Sequence, residues 1–293
     1  MKTAISSVLF ALATLTATSA CEQQADAPWS SEVEGSVFEV RVAYENESAG
    51  GESSGNSRGH NTLIERIIKV DPTEIVAEYE RIPSPRRYVG EQPNLIDWDY
   101  PATISVLDSD ELTLQNLEEI EARNTEWRQA AGIPDEACGL WYFTWNAFKI
   151  ECDPNSVIQG LEAFILYNNE ILDGQKIEEP GALEAGILTT VSTDPLILQA
   201  EFELDSEIIR EERAQEDIIF SQIMQGETLT LENALQVRAT EQISGTLKTV
   251  WEMDELGRVW KRTRNSNITI EFETGETETL TQKQTTTRTL QAK

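Results

Sequence analysis

CGLWYFTWNAFKIEC, residues 138–152, holds two of the seven Trp and two of the three Cys of the chain. Trp141, Trp145, Phe148 and Cys152 recur at helical spacing. One continuous helix would set the two Cys ~20 Å apart at ~1.5 Å per residue. A disulfide needs Cα atoms within about 7 Å. A short helix over about residues 140–149 with bent ends reconciles the two, and its apolar sides predict burial between other elements.

Capped helices are expected on both sides. Asn116 precedes Glu118 and Glu119, where the helix dipole favours acid, and Gly132 and Pro134 close the segment, which gives a helix over 117–131. Asp153 and Pro154 start a second helix, with Val157, Leu161 and Phe164 as its stripe, running to about Tyr167.

Further out the pattern turns to strands. Phe38, Val40, Val42 and Tyr44 alternate with Glu39 and Arg41. Residues 45–60, rich in Gly and Ser, read as a long mobile loop. Strands are expected at 62–70, 74–80 and 100–106, with irregular chain over 83–101. In the second half, two strands flank Asp194-Pro195, and helices follow at 205–225 and about 231–238. The hairpin 245–265 closes through a turn with Asp254 first and Gly257 last, which pairs Asp254 with Arg258 and Glu252 with Trp260. Arg258, Arg262 and Arg264 then share a solvated face with Glu252 and Asp254; the rival is a basic-aromatic groove around Trp260 for acidic ligands. The Thr-rich tail supplies the last strand. The predicted class is α+β, an antiparallel sheet from N- and C-terminal strands with central helices packed on one face.

The net charge of −29 argues against nucleic acid as a partner. A single His, His60, excludes His-based triads and His clusters for zinc. No phosphate loop, nucleophile elbow or calcium loop occurs, so no cofactor or metal is expected.

The opening MKTAISSVLFALATLTATSAC has an early Lys2, an apolar run from Ala4 to Leu15 and small residues up to Cys21. It reads as a secretory signal, too short to span a membrane. Thr18-Ser19-Ala20-Cys21 resembles the lipobox of bacterial lipoproteins, with Thr18 where Leu is usual. The resemblance implies cleavage before Cys21, lipidation of that residue and, with Glu22 next, retention at the outer membrane, facing the periplasm. The alternative is ordinary cleavage after Ala20, leaving a free Cys21. Residues 1–20 are then signal, 21–35 a flexible tether, and 36–293 a single α+β domain. Cys138 and Cys152 remain as an even pair in an oxidising compartment, either as a disulfide or as two buried thiols.

Trp127, Trp141, Trp145 and Phe148 either line a pocket for an apolar or sugar ligand or pack as plain core. The functional expectation is a non-enzymatic envelope lipoprotein that is anchored to the membrane by lipid and binds an apolar ligand or an envelope protein. The ligand version calls for an apolar concavity between sheet and helices. The alternative is a carboxylate-based hydrolase acting on envelope polysaccharide, with two acids in one cleft.

Overall fold

The computed structural model describes residues 31–51, 54–82, 97–107, 109, 111–143, 147–167, 171–225 and 229–291. The first half runs β1 (Val37–Gly50), β2 (Gly55–Asp71), β3 (Glu74–Arg81), β4 (Ala102–Leu107), β5 (Leu112–Leu114), α1 (Leu117–Ala131), β6 (Trp141–Phe143), β7 (Ala147–Lys149) and α2 (Ser156–Leu161). The second half runs β8 (Lys176–Ile177), β9 (Gly186–Ile187), β10 (Thr189–Thr193), β11 (Leu196–Glu203), α3 (Ser206–Gln225), α4 (Leu231–Arg238), β12 (Gln242–Met253), β13 (Val259–Glu271) and β14 (Thr277–Leu290).

One antiparallel sheet of ten strands carries the architecture, in the order β10-β11-β12-β13-β14-β1-β2-β3-β4-β5. The two ends of the chain meet at its centre, where β1 pairs with β14 from Phe38↔Leu290 to Gly50↔Glu278. Strands take up 48% of the described residues. This corrects the α+β expectation: among the described residues the fold is β-rich, with few helices. One physical reason lies in residues 45–60. The expected loop instead continues both strands, from Glu45↔Arg58 to Ser48↔Gly55. Gly50 and Gly51 have positive φ at the turn, and Gly59 leaves room for the Tyr44 side chain, which a Cβ there would overlap.

Residues 138–152 are also corrected. Cys138 and Cys152 are disulfide-bonded, with Cα atoms 5.6 Å apart. The stretch between them is not a helix but the β6–β7 hairpin, with Tyr142 opposite Phe148. A hairpin returns its ends to one place, which is what the bond requires. It does not bury the aromatic residues: Phe143 is 61% and Phe148 46% exposed. This segment is not the hub of the fold.

The helix signals resolve unevenly. α1 spans the expected residues, and Gly132 closes it in the left-handed conformation. α2 stops at Leu161, short of Tyr167. Thr230 caps α4, its hydroxyl accepting from the Asn233 amide.

Two hydrophobic cores share the covered face of the sheet. The first joins Phe38, Val40, Leu63, Ile75 and Tyr79 to Ile120 of α1 and Leu161 of α2. The second joins Leu198, Phe202, Leu247, Trp251 and Ile270 to Leu166, Leu188 and Ile209 of α3. β14 lies between them and cannot join them. Its alternate residues Gln284, Thr286 and Arg288 put amide, hydroxyl and guanidinium on the covered face, where β1 places Val42 and Val40 opposite Thr286 and Arg288.

Candidate functional site

The polar stripe extends from β14 into β13 through one irregularity. The turn after β12 forms as expected: the Gly257 amide donates to the Asp254 carbonyl at 2.9 Å, and Gly257 takes φ +77. Met253 then pairs with Val259, but Glu252 pairs with Lys261, not Trp260. Trp260 is the extra residue of a β-bulge, and every side chain beyond it changes face. Arg262 thereby comes opposite Trp251, and Arg264 opposite Thr249. Both arginines join the covered face, against the expectation of a solvated one. Arg258 stays before the bulge and binds Asp254 at 2.7 Å.

These polar groups dock the cover through its backbone. The Ala163 carbonyl accepts from Arg262 Nη2 at 3.3 Å and from Thr286 Oγ1 at 2.8 Å. Arg264 Nη2 donates to the Pro180 carbonyl, and its guanidinium stands 3.0 Å from a Glu179 carboxylate oxygen. Further along β14, Arg288 reaches Glu65 and also Glu32 at 2.6 Å. Tyr79 and Tyr167 both donate to Glu65 Oε1 at 2.6 Å. Burial first, and the Glu65 charge second, push both phenols well above the usual tyrosine range. Burial works against the Arg288 charge, but Glu65, Tyr167 and Glu32 outweigh it and hold the guanidinium protonated.

Between this stripe and the cover lies a cavity of about 520 Å³. Its floor carries Trp251, Arg262, Arg264 and Gln284; Gln159 of α2, Ala163 and residues 175–180 close over it. The lining is mixed, with amide and charged groups beside the indole, rather than the apolar concavity anticipated from sequence.

The two floor arginines differ in state. Arg264 is neutralised by Glu179. Arg262 makes no ion pair among the described residues, and its single hydrogen bond goes to an uncharged carbonyl. Burial pulls its guanidinium below the usual arginine range; Glu179 opposes this and Arg264 adds to it. A guanidinium does not lose its proton in a protein, so the charge stays and lacks a counter-charge. Opposite Arg264 and outside the cavity lining, the buried Thr249 Oγ1 makes no hydrogen bond among the described residues. Chemically the floor at Arg262 is a place for a group that accepts hydrogen bonds and carries negative charge. For acid–base hydrolysis one carboxyl would have to be held protonated beside an ionised one. Glu179, on the cover, is tied to Arg264 instead.

The residues singled out from the 138–152 stretch lie elsewhere. Trp127 stacks on Trp98 at 6.2 Å beside the first core. Trp141 and Phe148 belong to the β6–β7 hairpin, where Phe148 stacks on Tyr142 at 6.1 Å. Trp145 and Cys21 lie outside the described residues. Sequence reading missed Trp251 and Gln284 as lining residues; Gln284 alternates with Thr286 on β14, and Trp251 lies opposite Arg262 across the β12–β13 pairing.

No family model matches this chain, and no curated protein does. Among solved structures, lipovitellin, titled for its lipid–protein interactions, is similar at 9% identity and TM-score 0.42 over 89% of this chain and 25% of that one. The chain thus spans about a quarter of the lipovitellin chain. Ail, the attachment invasion locus protein of Yersinia pestis, is similar at 7% identity and TM-score 0.15, over 87% of this chain and 99% of that one. A DUF1329 family protein from Desulfovibrio piger is similar at 8% identity and TM-score 0.15, over 85% and 84%. Likenesses this distant carry no argument about function.

Proposed function

We propose that this chain is a non-enzymatic lipoprotein of the cell envelope, anchored at the outer membrane through Cys21, and that it works by binding a small ligand beneath its polar stripe. The observation that carries the reading is the cavity of about 520 Å³ floored by a guanidinium without a counter-charge. A half-buried charge without a counter-charge costs stability, and a ligand that matches it offsets that cost. The cavity volume falls within the ~300–1,000 Å³ common for small-molecule sites.

The anchor rests on the leader, on the polar stretch that follows Cys21 in the sequence and on the disulfide, which suits an oxidising compartment. Intact and native mass spectrometry of protein extracted from its own envelope tests both parts. The expected result is a chain beginning at an acylated Cys21 with a further non-covalent mass. An unmodified Cys21 would remove the anchor, and the absence of any bound mass would remove the ligand.

A further inference from the structure

We infer that the ligand of this cavity is a singly charged, hydroxylated carboxylate, of the size of one or two sugar rings, whose carboxylate is held by Arg262. The inference rests on the binding reading above and names the class of molecule.

The charge balance sets the valency. Three cations line the cavity, Lys176, Arg262 and Arg264, and so do three acids, Glu162, Glu178 and Glu179. Arg264 is already paired with Glu179 at 3.0 Å. The six charges cancel in sum, but Lys176, Glu162 and Glu178 are exposed at the rim. On the floor, half-buried Arg262 has no carboxylate partner among the described residues, so the site offers a ligand one unpaired cation. A planar carboxylate matches the guanidinium fork through two parallel hydrogen bonds. A second negative charge on the ligand would face Glu162, Glu178 and Glu179, inside a chain whose net charge is −29. A phosphate monoester, close to doubly charged at neutral pH, is disfavoured on those grounds.

The remaining lining sets the body of the ligand. Gln159, Gln175 and Gln284 bring three primary amides to one cavity. Each amide has donors and an acceptor, which suits hydroxyl groups that both give and accept hydrogen bonds. The edge of the buried Trp251 indole adds a small apolar contact beside them. An acyl chain would offer nothing to the Gln159 and Gln284 amides and no counter-charge to Arg262.

The test is calorimetric titration of the full mature chain, after removal of any co-purified ligand, with glucuronate, glucose, glucose 6-phosphate and decanoate. Glucuronate is expected to bind at least tenfold tighter than each of the other three. Arg262→Gln should abolish that preference, and Arg262→Lys should weaken it by retaining charge without the fork. Arg258→Gln, outside the cavity, should leave it unchanged. Circular dichroism and melting curves establish that each variant is folded. Equal binding of glucose and glucuronate, preference for the phosphate or for decanoate, or full binding by folded Arg262→Gln overturns the inference. If none of the four binds while protein from the envelope carries a different small molecule, this ligand class is overturned and the binding reading stands.

Discussion

Arg262 stands directly opposite Trp251 in the β12–β13 pairing, because the bulge at Trp260 turns it to the covered face. The consequence is a half-buried cation beside core residues, with the Ala163 carbonyl as its hydrogen-bond partner. Replacing it by Met removes a partly desolvated charge and keeps most of the packing. Ala163 retains its hydrogen bond from Thr286. Arg262→Met is therefore expected to be as stable as the parent or up to ~2 kcal/mol more stable in urea unfolding. A loss of that size would show that Arg262 is structural.

Arg288 makes the opposite prediction. It is 5% exposed and joins two carboxylates, Glu65 at 1% exposure and Glu32. Arg288→Met leaves both acids buried without their cation. Equilibrium unfolding should show a loss of about 3–5 kcal/mol. The two substitutions are alike on paper, and opposite signs would separate a binding arginine from an architectural one.

The Asp254–Arg258 pair gives a pH dependence. Burial alone would raise the Asp254 carboxyl; hydrogen bonds from the Arg258 side chain and backbone outweigh it and hold the group below the ordinary value of 3.8. A depressed folded-state pKa contributes stability above the unfolded value and loses it as pH falls through the folded one. Asp254→Asn should therefore melt lower than the parent at pH 7. The gap should narrow between about pH 4 and pH 2. Melting curves across that range check it, and a gap independent of pH would deny the pair its role.

The disulfide closes a loop with sequence separation 14 around a hairpin whose aromatic residues face solvent. The bond is worth about 3 kcal/mol to that loop. The ten-stranded sheet has its own pairing and does not depend on it. Cys138→Ser with Cys152→Ser should keep the parent's far-ultraviolet spectrum while residues 139–151 become the first site of protease cleavage. Loss of the sheet signal would mean that the hairpin supports the fold after all.

Local signals in the chain translated well where a single residue type decides geometry. Gly132 ends α1 because its left-handed backbone suits glycine, and Asp254 and Gly257 set their turn for similar reasons. The failures came where two principles competed. Residues 45–60 look like a linker by composition, yet pairing with the neighbouring strand holds them extended. In residues 138–152 the helical period of Trp141, Trp145 and Phe148 competed with the requirement that Cys138 meet Cys152, and the hairpin satisfied the second. The bulge at Trp260 leaves no mark in hydrophobic alternation: Val259, Arg262 and Arg264 fit either face until one extra residue is placed. That one residue separates a solvated arginine row from a cavity floor, so the site was out of reach of pattern reading.

Gln159→Trp, on the exposed rim contributed by α2, fills the cavity without touching the stripe beneath it. Native mass spectrometry of the parent and this variant, both taken from the same envelope, tests the binding site most directly. The parent is expected to carry a non-covalent small-molecule mass that the folded variant lacks. A parent with no bound mass, or a variant that retains it, would contradict a ligand site over Arg262.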